Sequence, residues 1–97
     1  PDDRWIDAPH VDGALIVNVA DLFALWSTGR WRSARHRVLP PDQGARTEQL
    51  VSLVSFCEPQ ADAIIAPLPG SAAELAFEPV VAGEWLAARM AQITVSA

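Results

Sequence analysis

Two histidines, one cysteine and a run of arginines are the side chains on which this sequence could build chemistry. A neutral imidazole is a common ligand for transition metals. His36 stands in Arg35-His36-Arg37, inside an alternating polar and apolar stretch where a strand would fix its direction. His10-Val11-Asp12 offers a second imidazole and a carboxylate two residues apart, and residues two apart on a strand share a face. However, His10 follows Pro9 and shortly precedes Gly13, which reads as a turn, where a histidine is ordinarily exposed. If His10, Asp12 and His36 met around one ion, the chain would be a self-contained metal domain, and that alternative stays open.

Other reactive groups carry weaker signals. Cys57 follows Phe56 in an apolar stretch and reads as a small buried hydrophobe. A Cys57–His36 nucleophile pair would need an oxyanion-stabilising partner, and none is signalled. A zinc site needs more Cys and His than one and two. No glycine-rich phosphate loop or nucleophile elbow occurs. Arg30, Arg32, Arg35 and Arg37 cluster within eight residues. Their plain reading is a strand with arginines on both faces, and nucleic acid is not expected as a partner because the net charge is −5.

The elements that must position these groups follow from patterning. Val11-Asp12-Gly13 is turn-like, with Gly13 free to take positive φ. Ala14 to Val19 is a short apolar run bounded by turns, which suits a buried strand. Asp21 caps a short helical turn over Leu22 to Trp26, a helix near 21–27, closed by Ser27-Thr28-Gly29. Arg32 to Leu39 alternates and stops at Pro40-Pro41, so it reads as a strand. Pro40 to Thr47 is a polar loop. Gln49 to Glu58 is the strongest strand reading, and Asp62 to Leu68 is another. Ser71 to Pro79 is loop-like. A C-terminal helix lies near 82–93, with Trp85, Leu86, Arg89 and Met90 on one face. Several strands followed by one helix predict a mostly β, jelly-roll-like architecture.

With these elements in order, the sequence resembles the isopenicillin N synthase-like oxygenases. Trp5-Ile6-Asp7-Ala8-Pro9 and Gly13 to Asp21 are similar to the family's Trp, Pro, then Gly-Ala-(apolar)-Val-Asn-x-Gly-Asp, with Ala20 where Gly is usual. Gly29-Arg30-Trp31-Arg32-Ser33-Ala34-Arg35-His36-Arg37-Val38 looks like the segment around the distal iron-binding histidine. Ser52 to Phe56, followed by Glu58-Pro59, is similar to the strand bearing the Arg-x-Ser motif. Ala63 to Leu68 and Val81 to Leu86 resemble the family's tail. The likeness runs in order through nearly the whole chain.

The resemblance implies a partial double-stranded β-helix of the jelly-roll or cupin type. Residues 1–97 would be the C-terminal half of an iron(II)/2-oxoglutarate dioxygenase domain whose N-terminal half, with its His-x-Asp, is absent. Family members hold iron(II) by two histidines and a carboxylate, leaving positions for 2-oxoglutarate and oxygen. His36 matches the distal histidine. His10-Val11-Asp12 falls downstream of the family's own His-x-Asp. Its 26-residue gap to His36 is also short, about half the family's usual spacing or less. Ser52 matches the serine that contacts the cosubstrate carboxylate, but Leu50 occupies the position of the arginine. A leucine cannot pair with a carboxylate, and burying that charge unpaired is costly. Either another arginine such as Arg46 replaces it, or the cosubstrate differs, or activity is lost.

Composition bounds the rest. The chain has 97 residues, 51% of them hydrophobic, too apolar for a disordered tail and long enough for one small domain or part of a larger one. Without an initiator Met, it is expected to begin inside a longer protein. One cysteine precludes an internal disulfide and suggests a reducing, cytoplasmic setting. No apolar run approaches the ~20 residues of a membrane span. The parent is expected to oxidise a small organic substrate with molecular oxygen. The isolated chain, holding one ligand of the set, is expected to be inactive and to need its missing half or a dimer partner. The rival expectation is a degenerate jelly-roll domain acting as a binding module.

Overall fold

Helix α1 (Asp21–Trp26) is the first regular element of the computed structural model, which describes residues 3–40, 49 and 51–96. Leu22 and Leu25 are half-buried on its inner side. Phe23 packs edge-on against Trp26 and Trp31, with ring centroids 5.6 and 6.2 Å apart. Asp21 does not cap this helix, as its position had suggested. The N-cap is Ala20, which makes no side-chain cap bond, and the Asp21 carboxylate instead accepts a hydrogen bond from Arg89 at 2.8 Å.

The C-terminus of α1 closes as a Schellman motif. Gly29 N–H donates to the Ala24 carbonyl and Thr28 N–H to that of Leu25, both at 2.9 Å. The left-handed residue between helix and loop is Thr28, with φ +52°, and Gly29 follows at φ +79°. Buried Ser27 ties this turn together, its hydroxyl donating to the Ala24 carbonyl and accepting from the Trp31 N–H. Upstream, the expected turn at Gly13 forms, with φ +73° and an Ala14 N–H to Val11 carbonyl bond of 3.1 Å.

The second cluster of structure is C-terminal. Strand β1 (Ile64–Ile65) pairs antiparallel with β2 (Val80–Val81) in the register Ile64↔Val81 and Ile65↔Val80. The connection carries a 3-10 turn at Ala73–Leu75. Helix α2 (Ala82–Ser96) follows β2 without a break. Two N–H groups at its start, which no helical carbonyl can reach, donate instead to the β1 approach: Ala82 to Ala63 at 2.9 Å and Gly83 to Ala61 at 2.8 Å. Ala82 is wholly buried there. The two clusters meet where Leu68 N–H donates to the Trp26 carbonyl at 3.2 Å and where Arg89 reaches Asp21.

The expected mostly β architecture is not what the described residues form. Among them only β1 and β2 make a ladder. The runs 14–19, 32–39 and 51–58 are in no strand, and apart from half-buried Val19 their apolar side chains stand in solvent: Leu15 is 90% exposed and Leu53 96%. The Asp62 to Leu68 reading shrinks to Ile64–Ile65. The reason is physical. A β-strand is defined by the neighbour that takes its hydrogen bonds, and an apolar run supplies only the propensity. The surface shows the same shortfall. The chain exposes 9324 Å², whereas a compact monomer of its mass exposes about 5,400 Å². Its radius of gyration is 17.2 Å, against about 12.5 Å for a compact chain of this length.

Candidate metal centre

The His36 imidazole is aimed by its own neighbour. Nδ1 lies 2.9 Å from the Ala34 carbonyl oxygen. A carbonyl can only accept, so Nδ1 carries the proton and donates. In the neutral ring, Nε2 is then left with its lone pair. This is the arrangement metal-binding histidines use, one ring nitrogen fixed by a carbonyl or carboxylate and the other free to ligate. Ala34 is itself anchored, its N–H donating to the Val19 carbonyl at 2.9 Å. One residue beyond His36, the Arg37 guanidinium lies 4.1 Å from the centroid of the Trp5 ring, a cation–π contact. The 34–37 segment is thus held against both 5 and 19, although no ladder forms there.

Asp21 sits two residues beyond Val19, at the start of α1. It accepts a hydrogen bond from Arg89 of α2, and Ser33, three residues before His36, also acts on its carboxyl. The Ser33 hydroxyl and the Arg89 guanidinium together hold the Asp21 carboxyl below its ordinary value, against a small opposing push from burial. Asp21, Ser33 and Arg89 had not been singled out as site residues. The one signal available was distance along the chain, since Asp21 follows the run that precedes the helix and Ser33 precedes the histidine.

The other candidate donors do not join His36. His10 Nε2 and Asp12 Oδ1 pair with each other at 2.9 Å in a fully exposed turn. Among the described residues, no three His, Cys, Asp or Glu side chains lie together in a way that could hold a metal ion. A metal domain built from His10, Asp12 and His36 is therefore not formed. Ser52 is exposed, and Leu50 and Arg46 lie outside the described residues. Cys57, read as a buried hydrophobe, is instead an exposed free thiol, because the 51–58 run has nothing packed over it. Tested against an iron(II) site, the described residues supply one well-oriented imidazole and no second donor. They fit a single position of such a site, not the whole of it.

Comparison with known proteins gives this imidazole its setting. The profile of the 2OG-Fe(II) oxygenase superfamily matches residues 1–59, a span that contains the Trp5 segment, α1, His36 and Ser52. The chain belongs to the 2OG-Fe(II) oxygenase superfamily. The cofactors of that superfamily are iron(II) and 2-oxoglutarate, and its fold is the double-stranded β-helix. Among curated relatives, a validamycin A dioxygenase of Streptomyces hygroscopicus subsp. limoneus is 49% identical over 67 residues, covering 69% of this chain and 18% of the relative. A 1-aminocyclopropane-1-carboxylate oxidase of Musa acuminata is 39% identical, covering 88% of this chain and 26% of its own. A 2-oxoglutarate-dependent dioxygenase of Epichloe uncinata is 36% identical, covering 93% and 29%. The chain thus spans less than a third of the length of these relatives. No solved structure gives a significant match.

Proposed function

We propose that this chain is the C-terminal half of an iron(II)/2-oxoglutarate-dependent dioxygenase domain that oxidises a small organic substrate, and that His36 is its distal iron ligand. The observation that carries the reading is the Nδ1–H to Ala34 carbonyl bond, which leaves Nε2 as the lone-pair nitrogen. It lies within the stretch matched by the family profile. When bound, iron(II) with 2-oxoglutarate supplies oxygen activation. The chain's own contribution is to present one imidazole in a fixed tautomer and direction, and, through Ser52, a hydroxyl toward the cosubstrate carboxylate. Leu50 in the arginine position leaves that carboxylate without the family's usual partner, so 2-oxoglutarate is held by another cation or replaced by another oxoacid.

In this reading the other iron ligands and most substrate-selecting residues come from the N-terminal half of the domain. The exposed surface supports it. The 9324 Å² exposed exceeds that of a compact monomer by roughly 3,900 Å², far more than the roughly 800 Å² per partner of a standard stable interface. The uncovered runs 14–19, 32–39 and 51–58 need an obligate cover, namely the other half of the same β-helix or a partner copy. A lone exposed thiol, Cys57, is compatible with a reducing, cytoplasmic compartment.

The test is to read the coding DNA upstream of Pro1. An open frame encoding His-x-Asp some tens of residues before Trp5 is the expected result. A frame that begins at Pro1 would overturn the oxygenase reading and favour a degenerate binding module.

A further inference from the structure

The His36 segment is tied to Arg89 of α2, 53 residues along the chain, and the tie runs through one carboxylate. Arg89 Nε on α2 donates to Asp21 Oδ2 at 2.8 Å, across 68 residues of sequence. Arg89 is itself steadied from its own helix, where its Nη1 donates to Gln92 Oε1 at 3.3 Å. The Ser33 side chain also acts on the Asp21 carboxyl, favouring its charged form. Two residues before Asp21, the Val19 carbonyl receives the Ala34 N–H, and the Ala34 carbonyl in turn receives His36 Nδ1–H. The path from α2 to the imidazole is therefore continuous: Arg89, Asp21, the Val19–Ala34 bond with Ser33 beside it, and His36.

We infer that Arg89 is a positioning residue for His36, gripping Asp21 from α2 and thereby fixing the 33–36 segment whose backbone aims the imidazole. The inference rests on the reading of His36 as a metal ligand. The Leu68–Trp26 bond reaches the far end of α1, away from Val19. Asp21 and Arg89 touch no reacting atom. Their effect is on where Nε2 points and how narrowly it is held, and changes to residues supporting a metal ligand typically cost 10- to 100-fold in metal affinity.

The experiment uses the complete oxygenase polypeptide that contains these residues, titrated with cobalt(II) alone and followed by visible absorption, without substrate or turnover. Arg89→Ala is expected to weaken cobalt(II) binding about tenfold and to shift the absorption band. Asp21→Asn is expected to do the same, and the double variant to lose no more than either single one, because both break one path. Arg89→Lys, which keeps a cation on α2, is expected to recover part of the affinity. Leu86→Ala, which thins the packing of the same helix but leaves the pair intact, is expected to leave the band unchanged. An Arg89→Ala protein that binds like the parent, while His36→Ala loses the band, overturns the inference and leaves the ligand reading standing. So does a Leu86→Ala protein that loses the band as fully as Arg89→Ala. A His36→Ala protein with an unaltered band overturns the ligand reading itself.

Discussion

Arg89 and Asp21 join the last helix of the chain to the first by an N–O contact of 2.8 Å. Both side chains are partly open to water, so the pair belongs to the class of surface ion pairs that contribute up to about 1 kcal/mol. Its importance lies in position, because few contacts bridge the two clusters of structure.

The Asp21 carboxyl is held below its ordinary value in the folded chain by Ser33 and Arg89. A depressed carboxyl stabilises fully above its unfolded value, near 3.9, and that contribution is lost as pH falls through the folded value. Amide protection factors, corrected for the intrinsic pH dependence of exchange, should therefore fall at the start of α1 and along α2 below about pH 4. Asp21→Asn should show the lower protection factors at neutral pH as well, with little further change in them on acidification.

Gly83 sits where α2 leaves β2, and a Cβ there would meet the Ala61 carbonyl oxygen at 3.0 Å and the Ala61 Cβ at 3.1 Å. Gly83→Ala gains about 1 kcal/mol of helix propensity, but overpacking against a backbone group costs about 1–3 kcal/mol. The net effect should be a loss. Exchange protection of the Ala82 and Gly83 amides, which donate to Ala63 and Ala61, would report it.

Thr28 takes the left-handed position of the Schellman turn, a conformation that strains a β-branched residue. Thr28→Asn should stabilise the end of α1 by about 1 kcal/mol. The loss of the Thr28–Ser71 hydroxyl contact of 3.2 Å limits the gain. Slower exchange of the Gly29 amide is the expected observation.

The chain by itself should be catalytically silent. Mixed with iron(II), 2-oxoglutarate and candidate small substrates, it should give no substrate-coupled oxygen uptake, since one imidazole cannot hold iron usefully. Steady turnover would contradict this.

Leu50→Arg, made in the complete protein, should tighten 2-oxoglutarate binding if the cosubstrate is the usual one. Isothermal titration would show a gain of one to two orders of magnitude, the scale of a charge-assisted bidentate pair at about 1.5–3 kcal/mol. No gain, or a loss, would argue that the pocket is built for something else.

Local signals in this sequence were legible and non-local ones were not. The Gly13 turn, the short helix before Ser27-Thr28-Gly29 and the helix beginning at Ala82 each depend on residues within a few positions, and each forms. The segment around His36 was recognisable because its motif is contiguous. Strands at 14–19, 32–39 and 51–58 were expected from apolar patterning, yet pairing is a property of two segments, and none of these three finds a ladder partner among the described residues. The burial of Cys57 failed for the same reason. The Asp21–Arg89 tie escaped notice because Asp21 resembled a helix cap, the commoner use of an aspartate there.

The uncovered run at 51–57 has a consequence of its own. Val51-Ser52-Leu53-Val54-Ser55-Phe56-Cys57 contains no charge, no proline and no glycine, and its large side chains face solvent. A seven-residue segment of that composition is a template for intermolecular cross-β stacking. Glu58 and Pro59 stand immediately after it, a charge and a residue unable to donate a ladder bond, in the place of gatekeepers that cap such segments against self-association. Until a neighbouring strand closes over it, this stretch stays open to aggregation, and Glu58 and Pro59 are the residues that restrain it.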